Sequence, residues 1–76
     1  MMHTLKIHPE YFILVSQGVK TFEIRNNDRG FKVGDRLMLE EFDPTRDEKT
    51  GRFIHRTICY MTTFGLQKGY VALGIQ

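Results

Sequence analysis

The sequence predicts an α+β domain that is mostly β. Apolar residues alternate with polar ones in five short segments, the two-residue period of strands with one face in a core. A single segment, Pro9 to Gly18, spaces its apolar residues as a helix does. Clusters of turn-forming residues, Asn26 to Gly30 and Asp43-Pro44-Thr45, separate the alternating runs.

The first strand is expected at His3 to Ile7, with Leu5 and Ile7 facing inward. Pro9 suits the first turn of a helix, where its missing N–H is not needed, and Glu10 favours the same end through the helix dipole. Tyr11, Phe12, Leu14 and Val15 supply an apolar helix face, and Gly18 is a left-handed stop. So short a helix needs a sheet to lie on.

The second strand spans about Thr21 to Asn26 and has two unlike faces, because side chains alternate along a strand. Phe22 and Ile24 are assigned to the core. Thr21, Glu23, Arg25 and Asn27 line the other face, with Lys20 at its mouth. Asn26 to Gly30 form a bend, Phe31 and Val33 anchor the following loop, and Asp35 starts the next strand after Gly34. The third strand is Arg36 to Phe42, where Leu37 and Leu39 alternate with Met38, Glu40 and Phe42. A long hairpin loop then runs from Asp43 to near Gly51, with Arg46, Asp47, Glu48 and Lys49 at a solvated tip. The fourth strand is Phe53 to about Met61; Ile54, Ile58 and Tyr60 share a face with Arg56 among them, and Cys59 reads as a small buried hydrophobe. Thr62 to Gly69 is a loop whose Phe64 and Leu66 cover an open end of the fold. The last strand is Tyr70 to Ile75, with Val71, Leu73 and Ile75 inward.

Residues 1–76 make one domain, and a chain of this size buries only about 60% of its unfolded surface. With 41% apolar residues and nine aromatics it has enough for a core, which excludes disorder. One cysteine excludes an internal disulfide and a multi-cysteine zinc site. No signal segment and no apolar run near the ~20 residues that span a bilayer are visible, so no membrane association and a reducing cytoplasm are expected. His3, His8 and His55 do not form a ligand set by spacing; no metal and no cofactor are expected.

The net charge is +2, and its distribution is uneven. Lys20 to Arg36 holds five basic and three acidic residues, while the remainder balances at six of each. The surplus therefore surrounds the second strand and attracts phosphate over about one Debye length, ~8 Å at physiological salt. A hydroxyl, carboxylate, guanidinium and amide in one row suit a polar, partly anionic ligand. They equally suit a solvated sheet face bearing ion pairs of ~0–1 kcal/mol. Lys20 is a candidate anion contact or base. Glu23 and Arg25 form either a structural ion pair or ligand contacts, and Asn27 and Asp28 either touch ligand or cap the bend. Arg29 adds positive charge. Among Tyr11, Phe31, Phe64 and Tyr70, Phe64 is the best-placed stacking surface. No Gly-x-Ser-x-Gly elbow or phosphate loop is present; Thr21 beside Lys20 is the one hydroxyl–amine pair suited to nucleophilic chemistry.

Gly18, Lys20, Glu23 and Arg25 match Gly-x-Lys-x-x-Glu-x-Arg, and in this the chain resembles ASCH domains (activating signal cointegrator homology) of the PUA-like superfamily. The wider string, Lys20 to Arg25, Asn27-Asp28, and Phe31 to Asp35, is similar to a small bacterial and phage branch of unknown function. Leu5 to Phe12 and Gly69 to Gly74 extend the likeness over nearly the whole chain. The resemblance implies a small five-stranded β-barrel with one short helix between the first two strands. It also implies a cleft that binds RNA, a nucleotide or a modified nucleoside through Lys20, Glu23, Arg25, Asn27, Asp28 and Arg29. A related branch implies an alternative, an amidohydrolase acting on N-acylated cytidine through Lys20, Thr21 and Glu23. Where that branch has a nucleophilic threonine, however, this chain has Glu23, and no acidic residue follows Glu48 to replace its late carboxylate. A metal-independent ribonuclease and a protein-interaction module are the remaining readings.

Overall fold

The computed structural model describes residues 1–76. Its elements are β1 (Met2–Ile7), α1 (Pro9–Ser16), β2 (Phe22–Asn26), β3 (Arg36–Asp43), β4 (Glu48–Thr62) and β5 (Tyr70–Ile75). They form one mixed sheet in the order β1-β3-β4-β5-β2. β1 runs parallel to β3, and the other three ladders are antiparallel. β1 and β2 are the two ends, and no ladder joins them.

β4 is the spine. Its first part, to Thr57, pairs with β3, and its second, from Ile58, pairs with β5. The strand begins at Glu48 rather than Phe53, so the expected long hairpin loop shrinks to a tight turn between Asp43 and Glu48. A bulge after Ile58 lets Cys59 intervene before Tyr60 pairs with Gly74. An extra residue reverses the alternation. Ile58 is therefore buried, whereas Cys59 and Tyr60 are exposed and Met61 turns back to the core. This overturns the expected burial of Cys59 and the shared face of Ile58 and Tyr60.

The core joins Leu5 and Ile7, Phe12 and Val15, Phe31, Leu37 and Leu39, Ile58, and Val71, Leu73 and Ile75. The helix contributes only Phe12 and Val15; Tyr11 and Leu14 face outward, contrary to expectation. Its C-terminus closes with Val19 N–H donating to Leu14 O and Gly18 N–H donating to Val15 O. That pair of bonds is the Schellman arrangement, and it needs the left-handed backbone that Gly18 supplies at φ +75°. The chain reverses there and delivers Lys20 to the start of β2. Val33 is exposed and does not anchor its loop, whereas Phe31 does. Phe64 is 92% exposed and covers nothing.

The largest correction concerns β2. Phe22 and Ile24 are about half exposed, at 47% and 49%, and Glu23 is 5% exposed. The register explains it. Glu23 pairs with Leu73 and Arg25 with Val71, and directly opposed residues share a sheet face. Because Val71 and Leu73 point inward, Glu23 and Arg25 must too, and the apolar pair goes to the outer face. The same parity carries His3 inward with Leu5 and Ile7, and Glu41 inward with Leu37 and Leu39.

Candidate functional site

The inward face of β2 borders a gap between the two free sheet edges. Glu23 sits at its centre. Its Oε1 accepts from Lys20 Nζ at 2.8 Å, and its Oε2 accepts from Arg25 Nε at 3.1 Å and Nη2 at 3.0 Å. A buried carboxylate is costly unless paired, and here both oxygens are satisfied by cations. The triad carries one surplus positive charge.

Each cation also binds a strand-edge carbonyl. Lys20 donates to Phe22 O. Arg25 Nη2 crosses the gap to Lys6 O at 2.8 Å. Farther along, Arg29 Nη1 reaches Thr4 O at 2.6 Å. Edge strands present a row of unpaired carbonyls. In this chain basic side chains occupy three of them where a fifth ladder would otherwise close the sheet.

Arg25 and Glu23 form one wall of an open groove of about 260 Å³, with Ile7, His8 and Tyr11 on the opposite side. This is slightly below the ~300–1,000 Å³ of sites for drug-sized ligands and admits a fragment such as one base or one phosphate group. Arg25 Nη1 has no partner within the chain, so it remains a donor for a ligand. The Lys20 ammonium lies 5.6 Å from the Tyr11 ring centroid and 4.8 Å from that of Phe22.

Of the residues singled out from sequence, Lys20, Glu23 and Arg25 converge. Asp28 and Arg29 lie beyond Arg25 along an adjoining cavity of about 160 Å³. Asn27 does not face the groove. Its Oδ1 accepts from Phe31 N–H and its own N–H donates to Gly69 O, which closes the bend. It also lines a separate cavity of about 490 Å³ with Leu66, Gln67, Lys68 and Tyr70. Thr21 is exposed, and Lys20 is not bonded to its hydroxyl. Phe64 stands outside the groove.

Two further polar clusters escaped sequence reasoning. His3 Nε2 lies 2.8 Å from Asp35 Oδ2, both groups are buried, and the His3 ring packs edge-on against Phe31 at 4.8 Å. The His3 hydrogen bond, helped by the Lys32 backbone N–H, holds the Asp35 carboxyl below its ordinary value. Glu41 accepts from Arg52 Nε at 2.9 Å, Arg52 Nη2 at 2.7 Å and Thr50 Oγ1 at 2.6 Å. These bonds, Arg52 first, lower the Glu41 carboxyl, and Glu41 in turn raises Arg52. The available signal was strand parity: His3 and Glu41 occupy inward positions of otherwise apolar faces. No group of three or more His, Cys, Asp or Glu side chains is arranged to hold a metal ion. No helix is long and apolar enough to cross a membrane.

Comparison with known proteins places this chain in a family. Residues 2–75 match the family described as domain of unknown function (DUF3850). The chain is also 38% identical over 61 residues to the "Uncharacterized 12.9 kDa protein in GpA 3'region" of Escherichia phage P2, covering 80% of this chain and 54% of that protein. The chain thus spans about half the length of the curated relative it matches.

Proposed function

The chain belongs to the DUF3850 family, and from that premise we propose that it is a binding module whose groove takes a nucleotide-like anion, presented by RNA. One observation carries the reading: a single buried carboxylate, Glu23, fixes Arg25 on the wall of an open groove and holds Lys20 beside it. Cations held in place before a ligand arrives lose little freedom on binding. Arg25 keeps a free guanidinium nitrogen for phosphate or a base edge, and Tyr11 offers an aromatic wall for a base. The likeness of Gly18 to Arg25 to the ASCH signature supports the same reading. In these terms the open five-stranded sheet is a split PUA-like barrel, and the seam between β1 and β2 is the cleft.

Nothing in the groove favours the hydrolase alternative. The Lys20 ammonium turns toward Phe22 O and Glu23, away from the role of base for Thr21. The test is fluorescence anisotropy with a short labelled single-stranded RNA at 50 and 200 mM salt, roughly the range over which phosphate contacts change most. Lys20→Ala and Arg25→Ala should each weaken binding, and the deficit should shrink at the higher salt. Two folded variants with unaltered affinity would refute the proposal.

A further inference from the structure

The outward face of β2, β5 and β4 is unpartnered and aromatic. Paired positions share a face, so Phe22, Gly74 and Tyr60 form one row across three strands. Ile24, Ala72 and Thr62 form the next, and Asn26 with Tyr70 a third. Tyr60 is 64% exposed, and Phe22 and Ile24 are about half exposed. The centre of the face is low, because Ala72 and Gly74 stand between larger neighbours. A Cβ on Gly74 would come within 3.2 Å of Tyr60 Cβ, so glycine keeps that row open.

Phe22 and Tyr60 are two strand spacings apart, about 10 Å at ~4.8 Å per strand. Aromatic rings attract at centroid separations of ~4.5–7 Å. A planar ring seated over Gly74 therefore meets a ring on either side. The face also has a definite charge character. No acidic residue follows Glu48 in the chain, and the only acid of β2, Glu23, faces inward. At the border stands Lys20, whose ammonium lies between the rings of Phe22 on this face and Tyr11 in the groove. An apolar aromatic face without carboxylates and with a cation at its edge complements a strand that carries π-faces and phosphates together.

We propose that this face is a stacking platform for single-stranded RNA, with one base over Gly74 between Phe22 and Tyr60 and the adjoining phosphate on Lys20. The platform rests on the groove reading in that both share Lys20 and the same class of ligand. It extends the contact from one fragment in the groove to successive bases on the sheet.

The test uses labelled hexa-adenylate across a salt series with the full chain. Tyr60→Ala should weaken binding about 5–150-fold, the range for loss of one base–aromatic stack. The slope of log K against log salt should stay as in wild type, because no phosphate contact is removed. Tyr60→Phe should bind within about twofold of wild type, since every π-face serves. Phe22→Leu, which keeps apolar bulk without a ring, should weaken binding as Tyr60→Ala does. Lys20→Ala should instead flatten the slope by about 0.7, the loss of one phosphate contact on a single strand. Wild-type affinity in Tyr60→Ala beside a weakened Lys20→Ala would overturn the platform and leave the groove standing. Absence of hexa-adenylate binding by wild type would overturn the platform, and the groove would then be judged by a mononucleotide. A dimer in sedimentation that Tyr60→Ala dissociates, with RNA affinity unchanged, would assign the face to a second copy and overturn the proposal.

Discussion

Arg25 and Lys6 stand on opposite free edges of the sheet, and the guanidinium of one lies 2.8 Å from the backbone carbonyl of the other. With the parallel contact from Arg29 to Thr4 O, side chains do at this seam what a backbone ladder does elsewhere. Arg25 therefore holds two positions at once, as a wall of the groove and as a strut between β1 and β2.

The strut predicts a stability loss separate from any binding loss. Arg25→Ala leaves Lys6 O without its donor and Glu23 with Lys20 alone. Removing one partner of a half-buried charged hydrogen bond costs about 1–3 kcal/mol. Against a total of roughly 4–11 kcal/mol for a chain of this length, that is a large fraction. Arg25→Lys should recover little of it, because an ammonium lacks the forked geometry that reaches Glu23 and Lys6 together. Urea unfolding followed by circular dichroism measures both. An Arg25→Ala midpoint equal to wild type would show that the seam needs no strut.

Two of the buried carboxylates, Asp35 and Glu41, predict an acid-sensitive fold. Asp35 is lowered from 3.8, chiefly by His3, and Glu41 from 4.5, chiefly by Arg52. A group whose folded-state value is depressed adds stability above its unfolded value and loses it as pH falls through the folded one. The urea midpoint should thus be flat from neutrality to about pH 5 and fall below that. In a variant carrying Asp35→Asn and Glu41→Gln the neutral-pH midpoint should be lower and the acid decline shallower. Equal declines in the two proteins would place the acid sensitivity elsewhere.

Much of this fold was legible from the chain, and the failures share one cause. Alternation located all five strands, and Val71, Leu73 and Ile75 were read as inward correctly. For β2 the apolar pair was also sent inward, on the ordinary assumption that hydrocarbon seeks the core. The two readings cannot both hold once Glu23 pairs with Leu73, and register is not visible in a single strand. A one-residue change of parity hid Tyr60 and Cys59 in the same way, because nothing local announces the bulge after Ile58. The convergence of Lys20, Glu23 and Arg25 was legible because it is local, within six residues of one turn and strand. The contacts of Arg25 with Lys6 O and of Arg29 with Thr4 O were not, since those arise from chain closure over a distance.

Gly18 links the helix stop to the placement of Lys20. At φ +75° an alanine costs about 1–2 kcal/mol, although space for its Cβ is open. Gly18→Ala should therefore lower the melting temperature by several degrees, at about 4–8 °C per kcal/mol for a domain of this size. It should also weaken RNA binding, because the backbone bonds that aim Lys20 toward Glu23 run through this turn. A calorimetric scan and the anisotropy assay together check it. Loss of stability with full affinity would detach the turn from the site.

Glu23→Gln separates a binding triad from a purely structural one. The amide keeps the size and one acceptor oxygen but removes the negative charge between Lys20 and Arg25. Two cations then face each other with a weaker partner, and stability should fall by about 1–3 kcal/mol. The binding consequences point the other way. The surplus charge of the triad rises from one to two, so attraction for phosphate should strengthen and its dependence on salt should steepen. If the groove receives an anion, the variant is less stable in urea and binds labelled RNA more tightly at low salt. If the triad only braces the seam, stability falls and affinity follows it down or stays unchanged. Measured on one preparation at a temperature where the variant is folded, the opposed directions of the two effects distinguish a ligand-holding groove from a strut.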